Sequence, residues 1–415
     1  MRRTLLLVCI VVTSTQLAFA GPKTVAVLEE HLQAGTLSTG QALLSSELEK
    51  NPKDADARFG LGTLQFLSSV ERLSKSLYRY GLLQQQRTLI GGLGIELPIG
   101  INPQPEKITY EQARAIIQQL VTDLTKAEAT LALIDTEEVK LPLHFGLIRL
   151  DLNGDGKTDP DKTLWRIYAR LNRGAINVSE KRAQAFVIAF DTGDVYWLRG
   201  YCHLLMAFGE TALAHDWQEL FKRVGHVIFP STDSPYPFLK EATPGDTDTF
   251  FSFNRLSDLI AYIHLINFQV KEPERMHAAL GHLESMVAVS SRSWDFILKE
   301  TDNDQEWLPN PKQTGVIPNV VVTDEMIESW RHFLAEAKTI LKGEKLIPFW
   351  RGAPGRGINL RLVFMEPAPF DLVLWIQGTG AAPYLQKGPS TDPEVWRRLQ
   401  RVFGGEFIGF ALWFN

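Results

Sequence analysis

Apolar positions recur at helical spacing through most of the chain. Leu43, Leu44 and Leu48 precede Asn51-Pro52, which reads as a helix followed by a stop. From Ala57 to Leu83 the pattern continues through Phe59, Leu61, Leu64, Phe66, Leu67, Val70, Leu73, Leu77 and Tyr78. Across residues 88–106, Gly91, Gly92, Gly94, Pro98, Gly100, Pro103 and Pro105 break the pattern and predict a long loop. Residues 110–134 return to it, with Ala113, Ile116, Ile117, Leu120, Val121, Leu124, Ala127, Leu131 and Ile134 on one face. Helices are predicted over 163–170, 195–221, 256–270, 273–289 and 323–341. The second is apolar nearly all round and is expected at the centre of the molecule. Asp324 and Glu325 suit the start of the last helix, and Gly343 its end. Residues 358–365 and 370–376 are dense in β-branched and aromatic side chains between Gly and Pro, and predict strands. Asp392-Pro393 opens a short helix, and 407–414 is an apolar tail expected to dock in the core. The fold class predicted is mainly α, with a small mixed α/β subregion at the C-terminus. The boundaries drawn are 1–20, 21–135, 136–345 and 346–415.

A unit of 34 residues starting at Ala55 places Leu61-Gly62, Ser74 and Tyr78 at spaced packing positions, with Pro52 where a preceding unit ends. Gly62 and Ser74 allow close helix approach, while Leu61 and Tyr78 fill the seam. In the unit before it, Gly40 and Leu44 fit best. This stretch resembles a tetratricopeptide-type helix pair. The resemblance implies an N-terminal array of helical hairpins.

The most specific chemical pattern is the acidic run over 151–161. Calcium takes six to eight oxygens at about 2.3–2.6 Å, and a tight loop supplies them from alternate residues. Asp151, Asn153 and Asp155 stand at the first, third and fifth positions, and Gly156 permits a sharp turn at the sixth. Lys157 offers its carbonyl at the seventh, and Asp159 a direct or water-bridged oxygen at the ninth. The run resembles the calcium loop of EF-hand and dockerin-like modules. That resemblance implies calcium as the cofactor, with Asp161 as an additional ligand. The pattern departs at the twelfth position, where Lys162 replaces the bidentate acid. A solvated Asp/Asn/Gly turn that needs no ion is the plain alternative.

Residues 1–20 begin Met-Arg-Arg, continue through a short apolar stretch and close on Ala18-Phe19-Ala20. A positive start, an apolar centre and small residues before a cut are the parts of a secretory signal. The chain is therefore expected to be exported, to a periplasmic or extracellular space. No later stretch is long and apolar enough to span a bilayer. Beyond residue 20 there are 41 basic against 48 acidic residues, a net charge of −7. With no basic run, this argues against a nucleic-acid partner. Cys202 is the one cysteine beyond residue 20, so no internal disulfide is expected there. Its apolar helical setting predicts a buried, inert thiol.

Other candidates are less specific. Glu300, Asp302, Asp304 and Glu306 crowd one loop and include a possible acid/base pair, as hydrolases on sugars use two carboxylates. A solvated acidic loop explains the same residues. His203, His215, His226 and His264 match no fixed ligand spacing. The 352–357 turn with Arg351 and Arg356 suits an anion or a plain hairpin, and Asn177-Val178-Ser179 is a glycosylation sequon. Two functional readings follow. The first is an exported, calcium-binding, non-enzymatic helical protein that binds a protein or peptide partner. The second is a hydrolase, acting on glycans, that uses carboxylates of the 300–306 loop.

Overall fold

The computed structural model describes residues 22–83, 99–135, 139–157, 159–171, 179–241, 253–316, 321–351, 355–403 and 407–414. The expected signal, residues 84–98 of the predicted loop, Asn177 and Val178 of the sequon, and residues 352–354 lie outside them. The chain is mainly α. Its N-terminal helices are α1 (Pro22–Ala34), α2 (Leu37–Lys50), α3 (Ala55–Arg79), α4 (Tyr110–Leu131), α5 (Leu164–Leu171) and α6 (Glu180–Ala185). The central ones are α7 (Thr192–Ala214), α8 (Gln218–Val224), α9 (Phe253–Leu265) and α10 (Pro273–Ile297). Then come α11 (Asp324–Leu341), α12 (Leu360–Met365), α13 (Leu372–Gln377), α14 (Pro393–Phe403) and α15 (Phe407–Phe414).

Short antiparallel strands tie these together. Lys140–Leu143 (β1) pairs with Ile188–Asp191 (β2), setting Leu141 opposite Phe190. His215–Asp216 (β3) pairs with Asn267–Val270 (β4). Ile347–Pro348 (β5) pairs with Arg356–Ile358 (β6). Phe370–Asp371 (β7) adds to β4, and Leu385–Lys387 (β8) to β6.

The long helices start where the sequence supplies caps. Asp54 accepts from the Ala57 amide at 2.8 Å to open α3. Thr109 and Gln112 form a reciprocal capping box at the start of α4. The α3 helix is unbroken through the point where a 34-residue unit would turn. Residues 63–74 hold no Gly or Pro to stop it. The small residue does matter, against a different neighbour: a Cβ on Gly62 would stand 2.4 Å from Leu131 Cδ2 of α4. Among the described residues α1 and α2 form one helical hairpin, whereas the unit starting at Ala55 is a single continuous helix.

At the centre, α7 packs along α10 on one side and α4 on the other. Cys202, Met206 and Trp294 are buried there. Burial pushes the Cys202 thiol's pKa well up, which leaves it protonated. Three sequence expectations need correction. The helix expected over 195–221 stops at Ala214, because the last carbonyls find other donors. Arg114 donates to the carbonyls of Leu213 (2.7 Å) and His215 (2.9 Å), and Lys271 N–H donates to Ala214 at 2.8 Å. The helix expected over 256–270 ends at Leu265, and Asn267–Val270 becomes β4 between β3 and β7. The strands expected over 358–365 and 370–376 are mostly helix. Asn359 accepts from the Leu362 amide and Asp371 from the Leu374 amide, and each cap starts a short helix that overrides β-branched propensity. The C-terminal tail docks as expected, with Phe414 fully buried against Trp294 and Trp330.

Candidate functional site

Three places carry chemistry or an opening. The first is the loop that follows Leu150. Leu150 and Leu152 are buried and anchor it, and its return is tied by the Leu150 amide to the Lys162 carbonyl at 3.2 Å. Gly154 (φ 73°) and Gly156 (φ 69°) supply left-handed backbone that other residues adopt at a cost. Asp151, Asn153 and Asp155 aim their side-chain oxygens at one point, as ligands of an ion would. That point holds the ammonium of Lys162. Its Nζ donates to Asp151 Oδ1 at 2.8 Å, to Asn153 Oδ1 at 2.8 Å and to Asp155 Oδ1. Lys157 and Asp159 are exposed on the outside of the loop, and Asp161 pairs with Arg166 at 2.7 Å.

The electrostatics follow the geometry. Burial works to raise the Asp151 pKa. The Lys162 hydrogen bond and the Lys75 charge outweigh it, so the carboxyl lies below its usual range. Asp155 is held well below its usual range, first by the Lys162 hydrogen bond and then by the Lys157 amide. Burial would lower Lys162, but its bonds to Asp151 and Asp155 raise it on balance. The same loop walls a polar cavity of about 430 Å3, with Ser38, Gln41, Glu71, Arg72 and Lys75 opposite Asp151 and Gly156.

The second place is a carboxylate cluster. β2 ends on Asp191, which caps α7 by accepting from the amides of Gly193 (2.6 Å) and Asp194 (3.3 Å). Asp194 returns the contact by accepting from the Asp191 amide at 3.1 Å. Gly193 allows the end of α10 to close in: a Cβ there would meet Ile297 Cγ1 at 2.8 Å. Glu300 follows α10 and so arrives beside Asp191. Asn310 fixes that arrival by donating to the carbonyls of Ile297 (3.0 Å) and Glu300 (3.3 Å). Glu306 comes in from the far side of the loop, where Gln305 holds a positive φ of 69°. Carboxylate oxygens of Asp191, Glu300 and Glu306 all lie within 4.8 Å of one another.

Such a group cannot be fully ionised. Burial, then the Asp191 charge, pushes Glu300 up to about 10. Burial pushes Glu306 up to about 7, with Asp191, Asp302 and Asp304 adding to it. Asp191 and Asp194 are raised as well, chiefly by burial. Glu300 Oε1 is buried with no donor beside it. A proton shared between Glu300 and Asp191 satisfies both carboxyls. Asp302 and Asp304 instead face outward and both take Lys140, at 2.6 and 2.7 Å. Phe190 and Trp307, the chain neighbours of Asp191 and Glu306, pack on one another together with Phe145.

Of the sequence candidates, Glu300 and Glu306 come together, while Asp302 and Asp304 serve a surface ion pair. Asp191 and Asp194 were not singled out by sequence. The available signal was Asp191-Thr192-Gly193-Asp194 between an apolar run and an apolar helix, a capping pattern. The histidines go to separate duties. His203 meets His282 at 3.1 Å, His226 meets Asp258 at 3.2 Å, and His215 bonds the Thr211 carbonyl. Arg351 bonds the Gln377 carbonyl.

The third place was not read from the sequence at all. It is an apolar cavity of about 230 Å3 between α3, α4, α8 and α9. Leu77, Ile116, Ile117, Trp217, Phe221 and Tyr262 are among the side chains that wall it. Beside it, α9 buries none of its residues. Phe253 is 82% exposed, and Leu256, Leu259, Ile260 and Ile263 share its exposed apolar face. The α9 helix packs against α13, where Val373, Leu374 and Ile376 are exposed too. No helix among the described residues is long and apolar enough to cross a membrane.

Compared with protein-family models, with curated proteins and with solved structures, the chain matches none of them.

Proposed function

We propose that this chain is an exported, non-enzymatic helical protein that binds a protein or peptide partner through α9, α13 and the neighbouring apolar cavity. The observation that carries the reading is the run of exposed apolar side chains on α9, at helical spacing, beside a cavity without polar walls. Large exposed apolar patches are uncommon on proteins that meet only water, and they mark places where another surface docks. A cavity of about 150 Å3 accepts a benzene ring, so about 230 Å3 accommodates one or two anchoring side chains. An amphipathic helix with anchors at i, i+3 or i+4, and i+7 suits such a groove. Export is supported by the signal-like pattern of residues 1–20.

The test is a titration of fluorescently labelled amphipathic peptides, followed by anisotropy. Binding to the wild-type chain, weakened at least tenfold by Ile260→Glu, supports the reading. Binding that Ile260→Glu leaves unchanged, or no binding by any such peptide, contradicts it.

The convergence of Asp191, Glu300 and Glu306 favours a second reading, acid–base hydrolysis. Glu306, near neutrality, would exchange the proton between the neighbouring carboxyls. Neither the 230 Å3 nor the 430 Å3 cavity is walled by these carboxylates, which is why it stands second. Release of reducing ends from a glycan panel, lost in Glu306→Gln, would reverse that order.

A further inference from the structure

We propose that Lys162 is the resident cation of the 151–162 loop, so that the loop keeps its calcium-type shape without a metal ion. Independently of any partner, four observations support this. A lysine ammonium has three donors and no acceptor. Here the three go to Asp151, Asn153 and Asp155, the first, third and fifth ligand positions of the pattern. The ammonium therefore stands where those ligands would converge on calcium. Its side chain is only 15% exposed, so it belongs to the interior of the loop.

Asp151 is also saturated. An ionised carboxylate accepts about four hydrogen bonds. Oδ1 takes the Gly154 amide and Lys162, and Oδ2 takes the Gly156 amide and Lys75 at 3.3 Å. Calcium could gain Asp151 only by displacing a lysine. The ligand a calcium loop wants most, a bidentate acid at the twelfth position, is Lys162 itself. Asp161, the nearest substitute, is turned outward to Arg166. Finally, two lysines, Lys162 and Lys75, face the three acids Asp151, Asp155 and Glu71, which cuts the local charge to −1. The repulsion that would call for a cation among close acids is already answered from within the chain.

The experiment is calcium calorimetry on the chain, with thermal melts in calcium and in chelator, for wild type and three variants. Expected for wild type are no heat of binding at millimolar calcium and one melting temperature in both buffers. Lys162→Gln is expected to melt lower in chelator, by on the order of 2 °C or more. Lys162→Glu restores the twelfth ligand and is expected to melt higher with calcium, with a Kd of about 10−4 to 10−3 M. If that variant folds only with calcium, the same conclusion follows. Wild-type calcium binding with a rise in melting temperature, both lost in Asp155→Ala, would overturn the proposal. So would a Lys162→Gln variant that melts like wild type in chelator, or a folded Lys162→Glu variant indifferent to calcium.

Discussion

Glu300 and Glu306 hold protons more tightly in the folded chain than in the unfolded one, which makes stability depend on pH in a definite direction. An ordinary glutamate releases its proton near 4.5, whereas here the values are about 10 and about 7. Between those limits the folded state binds more protons, so stability falls as pH rises through 7 and on towards 10. Glu300→Gln supplies a permanent proton-like donor in the same shape. We predict that it melts higher than wild type at pH 9 and close to wild type at pH 5. A melt at pH 9 lowered by the change would show that the carboxylate is needed ionised, as for a bound cation. Asp56, which burial pushes up from 3.8 to about 6, contributes a fall of the same sign at lower pH, between those two values. At this scale the sequence was half legible. The 300–306 acids stand out as a run, but their partner Asp191 lies more than a hundred residues away and looks like an ordinary helix cap. Lys162 was visible as a departure from the calcium pattern. That its ammonium reaches the centre of the loop depends on the side chain's path, which spacing does not give.

At the scale of elements, caps and small residues decide where helices begin and how closely they lie. Gly62 sits where α3 meets Leu131 of α4, with room for no side chain. Gly62→Val should destabilise the chain by about 1–3 kcal/mol, read by chemical denaturation, since overpacking forces a backbone shift. Asp371 caps α13 from an exposed position. Asp371→Ala should cost about 1 kcal/mol and loosen α13 without unfolding the core. Long amphipathic helices such as α4 and α11 were legible, because their apolar stripe and caps agree with their packing. Short segments were not. Residues 360–365 and 372–377 carry strand-like composition, yet a single cap from Asn359 or Asp371 tips each into a helix. The stop at Ala214 was invisible because Arg114, a hundred residues earlier, takes the carbonyls that a continuing helix would have used.

For the whole molecule, the strongest element of the core is the α7–α10 pair, closed at one end by the docked tail. Trp294 of α10 has no exposure and packs at a tilt against Phe414, with ring centroids 4.9 Å apart. Trp294→Ala should cost about 3–5 kcal/mol by denaturant titration, the range for emptying a core tryptophan site. The mainly α architecture and the buried tail followed from periodicity and composition. The apolar surface did not, because α9 has the same amphipathic pattern whether its apolar face meets the core or water. Only the packing shows that this face looks outward. A partner docked on that surface would shield α9 and α13 from solvent. The most direct measurement is hydrogen–deuterium exchange of the chain with and without a bound amphipathic peptide. The account predicts new protection over residues 253–265 and 372–377 and around Trp217. Protection confined to residues 191–194 and 300–306 would contradict it, and would move the functional site to the carboxylate cluster.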